Sequence, residues 1–159
     1  MPLTTLEQRA LENIASSGDV DLVRRIARNA KGKSLAVEKA TVRRIAVLEA
    51  KGPDGSVESD CWKMVLTVEE IRRQVRGKKS PMNRLRPKIE RDGPVASLEY
   101  LALKKNDGFA EVIEYGLPEL TAEAIVIRHG EPMFSARAVS TARQHLQHAG
   151  YDPDKVSQA

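Results

Sequence analysis

The chain is poor in aromatic residues and almost devoid of cysteine. Only Trp62, Tyr100, Tyr115, Tyr151, Phe109 and Phe134 carry aromatic rings among 159 residues. That leaves Ala, Leu, Ile and Val to build the core, a composition suited to packed helices, and it argues against a stacking platform for single-stranded nucleic acid. Cys61 is the lone thiol, so no internal disulfide can form, and a reducing cytoplasm is the expected location. No apolar run reaches the length of a membrane-spanning helix, and the first residues lack a charged stretch followed by an apolar one. Neither a membrane span nor a signal peptide is therefore expected. The ten glycines are scattered singly, so no phosphate-cradling glycine loop is present. Internal repeats and low-complexity segments are also missing.

What is there is a globular composition, 41% hydrophobic and 30% charged, at a length typical of one domain. The net charge of +4 hides segregation. Residues 24–51 hold nine Lys/Arg against two Glu, and residues 63–91 hold ten against three, a balance of +7 in each. The remaining stretches, 1–23, 52–62 and 92–159, are all acidic. Such segregation points to a molecule with one positive face, the electrostatic footprint of a polyanion partner. Solvated helix faces in a protein of pI 9.3 would read the same way.

Punctuation and periodicity predict an all-α fold of seven to nine helices. Thr5 with Gln8 has the pattern of a capping box, and Leu6, Ala10 and Ile14 share one face of a helix ending near Gly18. Asp19 can cap a second helix with the stripe Val23, Ile26, Ala27 and Ala30, stopped by Gly32. Ser34 opens a third, reaching about Ala50, with Leu35, Val42, Ile45 and Ala46 expected inside. Residues 51–60 read as the linker, and Asp60 is expected to cap a fourth helix carrying Met64, Val68, Ile71 and Val75 up to Gly77. Ser80-Pro81 has the form of a helix start, and Pro87 is expected to kink or break the helix that follows to Gly93. Pro94 begins another helix ending near Asn106-Asp107-Gly108, and a short one runs from Phe109 to Tyr115. The segment from Pro118 to His129 includes Ala124-Ile125-Val126-Ile127, which reads as a short central helix because a lone strand would have no partner. Ser135 caps a last helix, closed by Gly150. The organisation is thus an N-terminal three-helix layer over 1–50, the linker 51–60, a main helical body over 61–150 and a tail over 151–159.

Several features of the main body recur as a set. They are Trp62 at the head of a helix, Gly77-Lys78, the alternation Arg84, Arg86, Lys88 with Ile89, Arg91 and Gly93, then Gly108-Phe109, Gly116-Leu117-Pro118-Glu119-Leu120-Thr121-Ala122-Glu123, Phe134-Ser135 and Ala142-Arg143. Over residues 61–150 this set resembles an uncharacterised small bacterial helical domain found as stand-alone proteins and beside or fused to predicted nucleases. The resemblance implies a nucleic-acid context and carries no activity or site residue.

The sharpest functional candidate is the stretch 78–91. Arg84, Lys88 and Arg91 fall at i, i+4 and i+7, on one helix face, with Met82, Leu85 and Ile89 on the other and Lys78 and Lys79 just before it. Residues 67–91 loosely echo a helix-turn-helix, in which Arg84 and Arg86 would address guanine edges and Lys78, Lys79, Lys88 and Arg91 would take phosphates. Arg24, Arg25 and Arg28, with Lys39, Arg43 and Arg44, form a second basic set that either extends the phosphate track or balances nearby acids. The expected function is therefore non-enzymatic binding of nucleic acid, duplex DNA in particular. The alternative is an adaptor module that docks an acidic protein partner or a nuclease subunit. Catalysis is the least expected outcome. His145 and His148 are spaced to share a metal, yet without a Cys/His cluster they read as an exposed surface pair. Glu119, Glu123 and Glu114 with His129 have the residue types of an acid–base site but no distinguishing pattern. Cys61 beside Trp62 reads as a packed thiol. No cofactor or metal is expected.

Overall fold

Side-chain oxygens set most of the helix starts. The computed structural model describes residues 2–104 and 106–159, and the described residues form ten α-helices, one 3-10 turn and no strand. The N-terminal layer comprises α1 (Thr5–Ser16), α2 (Val20–Ala30) and α3 (Leu35–Glu49). Asp19 and Ser34 cap α2 and α3 as their positions suggested. The box on α1 is Thr4 with Glu7, one residue earlier than Thr5 with Gln8. Glu7 wins because its second oxygen also accepts from the Ser34 hydroxyl at 2.7 Å, tying the start of α1 to the start of α3. Ile14, Val23, Val37 and Ile45 close a small core of this layer. Leu35, expected inside, is 57% exposed, and Leu6, on the face it shares with Ala10 and Ile14, is 76% exposed.

The layer meets the body through α3 against α4 (Val57–Arg76), the central and longest helix. Ser56 caps α4, so the linker is shorter than expected and Asp60 lies inside the helix. The extra turn lets Cys61, Trp62 and Val65 enter the core while Ser59 and Asp60 are also buried. Val75, near the far end, is 71% exposed. Gly77 closes α4 in the left-handed region, φ +75°, where a side chain would be strained.

Against α4 pack α6 (Pro94–Leu103), α7 (Asp107–Tyr115) and α8 (Ala122–His129), while α5 (Leu85–Asp92) packs on α6 and α9 (Ala136–His148) packs on α6 and α8. Asn106 caps α7, so that helix begins two residues before Phe109. The stretch from Pro118 divides into a 3-10 turn, Pro118–Leu120, and α8, because Thr121 caps the latter through Ala124 N–H. The apolar run within 124–127 is helical and central, as its lack of a strand partner implied: α8 packs against α4, α6 and α9. The expected tail holds a tenth helix, α10 (Pro153–Ser157), with Asp152 at its cap and Pro153 and Val156 buried. One turn is too short to show a period in sequence.

Candidate functional site

The segment expected to be a recognition helix is organised by an acid from α4. Glu69 accepts Met82 N–H at 2.8 Å and Arg86 Nε at 2.7 Å, and it binds Arg86 Nη2 as well. Burial by itself would raise the Glu69 carboxyl, but the Arg86 and Met82 hydrogen bonds overcome it and hold the group below its ordinary value. This clamp pins Met82 against α4, where Asn83 N–H turns back to the Pro81 carbonyl, and the helix starts at Leu85 rather than at Ser80-Pro81. Pro87 consequently occupies the first turn, where its missing N–H costs nothing, and it neither kinks nor breaks α5.

Two functional expectations change as a result. The connection from Gly77 to Arg84 spans eight residues and α5 itself is only eight long, whereas a helix-turn-helix uses a turn of three or four residues. Arg86 is a structural clamp, stacked 5.5 Å from the Trp62 ring centroid, and is not available to a base edge. Lys88 and Arg91 both turn to Asp92, each with a 3.0 Å contact, and those hydrogen bonds pull the Asp92 carboxyl down to about 2. The three charges together leave +1 where two free cations were expected. Arg84 stands exposed at the start of α5, and Leu85 and Ile89 pack inward as their spacing required.

The second basic set divides in the same way. Arg43 pairs with Glu119 at 2.8 Å across to the 3-10 turn, and Arg44 donates to the Ser17 carbonyl, closing the α1–α2 corner. Arg24 binds the buried Glu70 carboxylate through two 3.4 Å contacts. All three are engaged by partners within the protein. Arg25 and Arg28 are exposed on α2, and among the described residues neither has a carboxylate within ion-pair distance.

Tertiary structure brings α2 beside the end of α4. Lys31 Nζ donates to the Gln74 carbonyl at 2.7 Å, and Arg73 approaches Glu70 from the other side at 3.6 Å. A cleft of about 350 Å³ opens between the two helices, lined by Arg24, Arg28, Lys31 and Arg73 with Glu70 and Gln74. A second, of about 440 Å³, shares Arg24, Glu70 and Arg73 and extends to Lys79 and Arg86. Exposed Arg76 and Lys78 flank this region. The two basic segments therefore meet at the α4 terminus, away from the α5 face. Lys31, Arg73 and Arg76 carry no distinguishing pattern in the sequence. Their available signal was position, since cations gather in the last turns of helices.

The residues considered for catalysis do not converge. Glu119 is held by Arg43, Glu114 is exposed, and Glu123 is fully buried on α8. His129 Nε2 lies 2.7 Å from Asp60, which also meets Arg128 at 3.4 Å. His145 is no exposed partner of His148: its Nδ1 lies 3.0 Å from Glu123 Oε2, while His148 faces solvent. Burial, then Asp60 and Glu58, push the Cys61 thiol up to about 12, so it stays protonated and unreactive at neutral pH. Among the described residues no three His, Cys, Asp or Glu side chains gather as a metal site. No family model, curated protein or solved structure matches the chain.

Proposed function

We propose that the protein binds nucleic acid, duplex DNA in particular, through the phosphate backbone and without catalysis. The observation that carries this reading is the convergence of two sequence-distant basic segments at the ends of α2 and α4. There Arg25, Arg28, Lys31, Arg76, Lys78 and Lys79 present side chains to solvent or to the clefts. Their acidic neighbours are already engaged: Glu70 by Arg24 and Arg73, Glu69 by Arg86. Positive charge on this side is thus left for a ligand, and a polyanion supplies the matching density. Backbone contacts without a helix in the major groove give binding that is insensitive to sequence.

Titration of a random duplex at two salt concentrations tests the proposal. With about five phosphate contacts the slope of log K against log salt is about −4.5, a roughly 500-fold loss between 50 and 200 mM. Failure to bind any duplex at low salt would refute it.

A second reading has one observation of its own. Leu6, Ala10, Ile26 and Val37 line an apolar groove between α1 and the α2–α3 pair, with Arg9 and Lys33 at its margin. An acidic amphipathic segment of a protein partner, a nuclease subunit included, suits that lining. Such binding would show a shallow salt dependence and would be lost on Leu6→Asp, a change that leaves the α2–α4 region untouched.

A further inference from the structure

We propose that the cleft between α2 and α4 is a phosphomonoester site. The inference rests on the nucleic-acid reading for its macromolecular ligand and sharpens it, making a strand end carrying a terminal phosphate the preferred species.

Arg24, Arg28, Lys31 and Arg73 line the cleft with one carboxylate, Glu70, a net +3 in the lining, and Glu49 approaches Arg24 from outside it at 3.8 Å. Each cation retains donors after its protein contacts. Arg24 and Arg73 share Glu70, and the geometry of a guanidinium leaves further N–H groups on both. Lys31 gives one N–H to the Gln74 carbonyl, covering a helix-end acceptor that would otherwise repel an anion, and keeps two. Arg28 has no acidic partner among the described residues.

Gln74 adds an independent sign. Its Oε1 accepts the Tyr115 hydroxyl at 3.1 Å, while its Nε2 is buried with no acceptor among the described residues. A buried amide donor without an acceptor is costly, and because Gln74 belongs to the cleft lining, a rotation of its side chain would bring that donor to an oxyanion there. The convergent groups are therefore almost all donors, from two helices and from opposite walls.

Shape and charge select the monoester over the diester. A terminal phosphate carries about −1.5 to −2 charges at neutral pH and three free oxygens. An internal phosphodiester carries one charge and continues into sugar on both sides, so it meets the surface cations but fills a cleft between two helices poorly. The monoester can come from a nucleic-acid strand end or from a free nucleotide, which share this chemistry.

The test compares ligands that differ only in that group. Binding is measured for one duplex sequence with 5′-phosphate and with 5′-hydroxyl ends, and for adenosine monophosphate against adenosine. The expected result is a preference of about tenfold or more for the phosphate, in the strand arm or the nucleotide arm, whichever is the source. Arg28→Gln alone should reduce that preference several-fold. Being exposed and without an acidic partner, it should leave folding intact. Lys31→Gln should act in the same direction, and Arg28→Gln still decides the matter if loss of the Gln74 carbonyl contact unfolds the Lys31 variant. Equal binding of both ends together with equal binding of nucleotide and nucleoside would overturn the site, even if the duplex binds well and the nucleic-acid reading stands. A nucleotide preference without duplex binding would keep the site and remove that reading.

Discussion

Glu123 Oε2 lies 3.0 Å from His145 Nδ1, and the Glu123 side chain has no solvent exposure at all. The other oxygen, Oε1, has no hydrogen-bond partner among the described residues, beside a cavity of about 10 Å³ lined by Met64, Val112 and Thr121. Burial pushes the carboxyl up to about 8. A single water is the most such a space could accept.

That pair predicts a stability that falls with rising pH. The folded chain holds a proton on Glu123 that an unfolded carboxyl releases near its ordinary value of 4.5. The folded state thus binds more protons between about 4.5 and 8, and stability drops across that window by up to about 1.4 kcal/mol per pH unit. Denaturant unfolding at pH 5, 6, 7 and 8 measures the slope. Glu123→Gln should flatten it, and an unchanged slope in that variant would assign the effect elsewhere.

His145→Ala removes the partner of a fully buried acid and should cost about 1–3 kcal/mol. His148→Ala, on the exposed side of α9, should stay within about 0.5 kcal/mol. Thermal melts of the two single variants separate them. Equal effects would mean that the Glu123 contact contributes little.

Arg86→Ala should act on stability rather than on ligand binding. It frees Glu69 and loosens the Pro81–Met82 segment, a loss of about 1–2 kcal/mol after allowing for the partial exposure of Arg86. The Glu69 carboxyl sits below its ordinary value, so this contribution is present above about pH 4.5 and disappears as pH falls through the lowered value. A duplex-binding salt slope that changed while the melt did not would reverse the assignment.

Neutralising exposed cations should divide the surface in two. Replacing Arg25, Lys78 and Lys79 together by Gln should lower the salt slope by about 2.7 units, with folding preserved. Replacing Lys88 and Arg91 by Gln should change it by less than about 1 unit, because Asp92 already offsets one of the two charges. The reverse ranking, measured by fluorescence anisotropy, would return the interface to α5.

Local chemistry was enough to specify the all-α class, the caps Asp19, Ser34 and Ser135, the stop at Gly77 and the central helix within 122–129. Each depends on interactions spanning a few residues: a side-chain oxygen and a backbone N–H, a glycine at positive φ, an apolar run with no strand to pair. Charge segregation was likewise visible as two basic segments. Which of those cations remain available was decided by the fold. Glu69, Glu70 and Glu119 lie 17, 46 and 76 positions from Arg86, Arg24 and Arg43, and no periodicity announces pairs at such separations. The same holds for Glu123 with His145 and for Asp60 with His129, whose partners meet only once α8 is packed between α4 and α9. Short-range forces thus wrote the helices into the chain, and long-range packing determined which charges face one another and which face outward.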